Sequence, residues 1–170
     1  MPRLKMLAHA AIAIVALSAP AAGADTECNR IELTSSAKFD DDEKPSFSAV
    51  AVLDLHPWLV LSTGRRGDTE SPELELRYFG PNGHLYQSVS FPVEGEGDAK
   101  RVEGYPRHVK IAKKRAIVHK GQKKRIVEAP AFPVAGTAIV TSSLYGRWRL
   151  EAWEPGARRA TCSIDFKLRP

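Results

Sequence analysis

Apolar residues recur at every second position along much of this chain, a period that suits a half-buried strand and not an amphipathic helix. Leu74, Leu76 and Tyr78 alternate with Glu73, Glu75 and Arg77. After Pro81-Asn82-Gly83, residues Leu85, Gln87, Val89 and Phe91 alternate with His84, Tyr86, Ser88 and Ser90. Asn-Gly tolerates positive φ at both central turn positions, so the two runs read as one hairpin. A second hairpin closes the chain. Trp148, Leu150 and Ala152 alternate with Arg147, Arg149 and Glu151; beyond Pro155-Gly156, Cys162, Ile164, Phe166 and Leu168 alternate with Thr161, Ser163, Asp165 and Lys167.

Further strands are expected over residues 31–39, 47–55, 58–62, 108–113, 115–119, 123–128 and 137–141, with Pro and Gly between them. Short strands at intervals of about 8–12 residues indicate an all-β fold of the sandwich or barrel type. No internal repeat or low-complexity linker divides the chain.

The N-terminus predicts export. Arg3 and Lys5 precede an apolar run from Met6 to Leu17, and Ala22-Gly23-Ala24 supplies small residues for cleavage before Asp25. The apolar run is about half of the roughly 20 residues that span a bilayer, so a retained transmembrane helix is not expected. Residues 1–24 thus read as a signal peptide and 25–170 as a single domain, periplasmic or secreted. Thr26 and Glu27 stand between the cleavage point and Cys28, which argues against a lipoprotein anchor. The two cysteines, Cys28 and Cys162, lie at opposite ends of the mature chain; in an oxidising compartment they read as one disulfide.

Two segments resemble parts of known secreted modules. Gly146-Arg147-Trp148-Arg149-Leu150 is similar to the Gly-x-aromatic-x-apolar strand in the last hairpin of immunoglobulin-like, fibronectin-type and macroglobulin-type sandwiches. Tyr78-Phe79-Gly80-Pro81-Asn82-Gly83 resembles the strand and P-x-G turn of macroglobulin-type modules. The resemblance implies a single antiparallel β-sandwich, immunoglobulin-like, with first and last strands side by side and Cys28 within reach of Cys162. It implies no particular activity. The chain departs from that pattern in a basic β-hairpin inserted at 107–125.

That segment carries the strongest functional signal. Arg107, Lys110, Lys113, Lys114, Arg115, Lys120, Lys123, Lys124 and Arg125 occur there without a single acid. The rest of the mature chain has 14 basic and 20 acidic residues, a net of −6. On a helix the apolar residues Val109, Ile111, Ala112, Ala116, Ile117 and Val118 would scatter around the circumference; strands joined at Lys120-Gly121-Gln122 fit better. Such a ribbon would attract an anionic envelope component or an acidic protein partner. The same charges would also be explained by edge strands defended against aggregation. Specific nucleic-acid recognition is disfavoured by export and by the scarcity of aromatic residues, Tyr105 being the one nearby.

Other motifs read as structural. Asp40-Asp41-Asp42-Glu43 lacks the alternate spacing and glycine of a calcium loop. His56, His84, His108 and His119 lie at no short metal-ligand spacing, so no metal or cofactor is expected. No Gly-x-Ser-x-Gly elbow occurs, Gly95-Glu96-Gly97 lacks the lysine of a phosphate loop, and Arg66-Gly67-Asp68 reads as a turn. Trp148 falls in phase with the core and Trp153 on the opposite face, where an aromatic can serve contact. No catalytic residue is assigned. A non-enzymatic binding or accessory module is the leading expectation, and a structural or assembly subunit of a larger secreted or envelope complex is the alternative.

Overall fold

In the computed structural model, which describes residues 28–40, 42, 45–61, 73–93, 101–103, 115–119 and 122–170, the period-two runs become strands of two sheets. The described elements are β1 (Cys28–Thr34), β2 (Ser46–Ser48), β3 (Asp54–Leu61), β4 (Glu73–Phe79), β5 (Leu85–Pro92) and β6 (Arg101–Glu103). They continue with β7 (Arg115–His119), β8 (Gln122–Glu128), β9 (Phe132–Pro133), α1 (Ala138–Thr141), β10 (Gly146–Trp153) and β11 (Cys162–Arg169). The first sheet has the order β1-β3-β8-β7, with β9 also on β3; the second has the order β2-β11-β10-β4-β5-β6.

Both hairpins form as the alternation requires. Leu76 faces Val89 across β4 and β5, and Leu150 faces Ile164 across β10 and β11. Leu74, Leu76, Tyr78, Trp148, Leu150 and Ala152 are buried in a core that also receives Ile31, Leu33, Leu59 and Leu61 from the first sheet. Phe132 of β9 stacks flat on Tyr78 with ring centroids 4.0 Å apart. Burial holds the Tyr78 phenol well above the ordinary tyrosine range, so it stays neutral.

The expectation of a wholly antiparallel arrangement is corrected at one edge. β2 runs parallel to β11, pairing Phe47 with Leu168. The strand expected over 47–55 breaks after Ser48, because Val52 N–H bonds back to the Ser48 carbonyl and folds residues 49–53 into a tight turn. β3 therefore starts at Asp54 and runs through Pro57, whose carbonyl accepts from Ala129 N–H. β1 starts at Cys28 and ends at Thr34, short of the expected residue 39.

The strand expected over 137–141 is instead the one-turn helix α1. Thr137 caps it, its Oγ1 accepting from Ile139 N–H at 3.2 Å. Gly136 immediately before it holds φ 71°, a reversal that an extended run could not absorb. β5 also departs from strict alternation. Tyr78 pairs with Gln87 but Phe79 with Leu85, leaving Tyr86 as a bulge. Leu85, expected on the core face, is 49% exposed, and the Tyr86 ring instead packs edge-on against Trp148 at 5.1 Å.

Cys28 and Cys162 are bonded, with Cα atoms 5.6 Å apart. The strands that carry them are not hydrogen-bonded neighbours, contrary to expectation. β1 belongs to the first sheet and β11 to the second, so the disulfide ties one sheet to the other.

Candidate functional site

The basic segment meets the fold through β8. That strand pairs with β3 from Trp58–Glu128 to Leu61–Arg125, which makes it integral to the first sheet and not an appended insertion. β7 then pairs with β8 from Arg115–Ile126 to His119–Gln122. Gln122, Lys123 and Lys124 thus lie past the last β3 pair and are laddered, among the described residues, to β7 alone. The expected pairing of the two strands forms, and among the described residues its end is a two-stranded ribbon.

Alternation fixes which face each position belongs to. Val127 enters the core between the sheets, whereas Ile126 joins a separate cluster with Trp58 and Val60 on the other face. Continuing the period of two, positions 123 and 125 fall on the Val127 face and position 124 on the Ile126 face. Cationic positions therefore occur on both faces of the ribbon. Of the nine expected cations, Arg115, Lys123, Lys124 and Arg125 stand on this ladder. Arg107, Lys110, Lys113, Lys114 and Lys120, and the strand expected over 108–113, lie outside the described residues.

Three of the arginines on the second sheet are paired locally. On the outer face of the second sheet, Arg77 pairs with Glu75 at 2.8 Å, Arg149 with Glu151 at 2.9 Å and Arg147 with Asp165 at 2.6 Å. Trp153, expected to be free for contact, is committed on this face. The Arg77 guanidinium sits 4.2 Å from its ring centroid, and its Nε1 donates to Glu151 at 2.9 Å. The basic ribbon has no acid of its own within 107–125 to play that part.

A second polar group escaped the sequence reading because its members come from three strands. His56 Nδ1 lies 3.1 Å from Glu128 Oε1, across from β3 to β8. Beside it Trp58 Nε1 donates to Thr34 Oγ1 at 3.0 Å, and that hydroxyl donates to the Ser36 carbonyl at 2.7 Å. Only the register, which sets Thr34 opposite His56 and Trp58 opposite Glu128, brings the four together. The Thr34 hydroxyl is fully buried and engaged in both directions, so it offers no nucleophile to the His–Glu pair. The group fastens β1, β3 and β8. Thr34→Val is accordingly expected to destabilise by about 1–3 kcal/mol, because it strands the buried Trp58 N–H. Urea denaturation checks this, and the double variant with Trp58→Phe should cost less than the sum of the two single changes.

Among the remaining motifs, Asp42 N–H bonds to Asp40 Oδ1 at 3.0 Å, a local turn rather than a spaced ligand set. His84 lies in the β4–β5 turn, His119 ends β7, and His108, Arg66-Gly67-Asp68 and Gly95-Glu96-Gly97 lie outside the described residues. Among the described residues no three His, Cys, Asp or Glu side chains gather as a metal set. In comparisons with known proteins, the chain matches no family model, no curated protein and no solved structure.

Proposed function

We propose that the protein is a non-enzymatic exported binding or accessory module, an immunoglobulin-like β-sandwich whose segment 107–125 engages an anionic envelope component or an acidic partner. The observation that carries this reading is the ribbon at the end of β7 and β8. Its cationic positions fall on both faces and pass beyond the last pair with β3. No acid within the segment balances this charge. The disulfide between the two sheets suits an oxidising compartment, and among the described residues no helix is long and apolar enough to cross a membrane.

Charge reversal tests the reading. Changing Lys113, Lys114, Lys123 and Lys124 to Glu takes the segment from +9 to +1. At roughly 1 kcal/mol for each cation near an anionic surface, loss of the four alone weakens binding by about a thousandfold. Cosedimentation with anionic vesicles and titration with a soluble polyanion should show that loss, with the unfolding midpoint little changed. Wild-type binding should itself fall as salt rises toward 0.15 M, where the Debye length is about 8 Å. A wild-type protein that ignores vesicles, polyanions and acidic peptides alike at low salt would overturn the proposal.

A further inference from the structure

We infer that β7 is a strand-addition site, and that its occupant is an extended acidic segment of a partner protein. The inference rests on the proposed role of segment 107–125 in binding an anion, and it narrows the two classes of partner named there to one.

The register is what distinguishes them. β7 ends the order of the first sheet among the described residues, and its centre reads Ala116-Ile117-Val118. The positions paired with these three are Arg125, Lys124 and Lys123, all on β8. Three of the four cations on this ladder therefore belong to the inner strand of the ribbon; Arg115 starts the edge strand, whose centre is uncharged and largely β-branched. Edge defence would place them the other way round, because a lysine on the outermost strand is what discourages a further strand from pairing. The other described edges do not share the feature. β2 and β6 are three residues each, and β1 carries Arg30 and Glu32, joined at 2.9 Å.

An edge of this composition calls for main-chain donors and acceptors, which an extended peptide supplies and a lipid headgroup does not. The charge one strand further in selects the sign of that peptide. A strand added to β7 would lie about 10 Å from the main chain of β8, two inter-strand spacings. That distance is about one Debye length at 0.1 M salt, so charges on the two strands still attract one another. Acidic residues on the added strand would thus be favoured at alternate positions on either face, since position 124 lies on one face and positions 123 and 125 on the other. A flat membrane would meet one face only.

The test uses the full chain and two synthetic peptides of alternating Val and Glu with equal charge. One is unmodified. The other is N-methylated at two adjacent central residues, which removes a donor from both of its edges. The unmodified peptide is expected to bind at least tenfold more tightly, and hydrogen exchange should slow at alternate amides of residues 115–119 when it binds. Equal affinities, or unchanged exchange in β7, would overturn strand addition. Binding to anionic vesicles or dextran sulfate without a preference between the peptides would also overturn it, while leaving the broader role of the segment in place. No binding to any of these probes would overturn both.

Discussion

Replacing both Cys28 and Cys162 by Ala is expected to lower stability by about 5 kcal/mol, on the scale of the entropy released when so long a loop is opened in the unfolded chain. The sequence separation is 134 residues, and the Cys28 end is only 2% exposed. The placement adds to the effect. The bond joins the first strand of one sheet to the last strand of the other, so it fixes the sheets against each other where no backbone ladder does. Small domains typically have only about 5–15 kcal/mol in total, so the variant should sit near the edge of folding. Guanidinium denaturation with and without reductant measures the change, and the reduced wild type should match the double variant. Thiol counting on protein denatured without reductant should find none. Two alkylatable thiols, or a midpoint indifferent to reduction, would contradict the assignment.

How much of this architecture was legible depends on whether a pattern is local. The β4–β5 and β10–β11 hairpins are carried by adjacent alternating runs and a turn with its own chemistry, so residues 73–92 and 146–169 declare themselves. The β7–β8 hairpin was legible for the same reason. Three features depended on non-local partners. β2 has three residues and takes its parallel place from contacts with a strand more than a hundred positions later. The reach of β3 through Pro57 depends on Ala129 bonding to its carbonyl, which no window around residue 57 contains. α1 presents Ala-Ile-Val-Thr, three of the four β-branched and strand-favouring, and is held as a helix by the Thr137 cap and the reversal at Gly136.

The candidate site divides along the same line. The run of cations was plain in the sequence, since charge needs no partner to be counted. What the sequence could not supply was the register, which sets the charged run on the inner strand and the apolar run on the edge. The bond between Cys28 and Cys162 followed from their number and from the compartment that the N-terminus predicts. Its position between sheets did not, because it depends on which strands are neighbours. The Thr34, His56, Trp58 and Glu128 group gave no local signal. Its members are separated by up to 94 positions and meet only through two sets of cross-strand pairs.

Trp148→Ala is expected to cost about 3–5 kcal/mol, the usual range for removing a buried tryptophan and leaving a cavity. The residue is 1% exposed and stands at the centre of an aromatic group drawn from several elements. Its ring centroid lies 5.1 Å from Tyr86, 5.8 Å from Phe132 and 6.1 Å from Phe166. Its Nε1 donates to the Leu144 carbonyl at 2.9 Å, which ties β10 to the segment following α1. Two contributions can be separated by substitution. Trp148→Phe keeps an aromatic ring but removes the donor, leaving the Leu144 carbonyl to find water, and should cost less than the alanine change. Urea denaturation monitored by far-ultraviolet circular dichroism measures both without relying on the deleted fluorophore. Because the ribbon of β7 and β8 is built on the other sheet, a Trp148→Phe protein that still folds should match the wild type in the polyanion binding proposed for segment 107–125. Loss of that binding in a folded variant would mean that the second sheet contributes to the anion site.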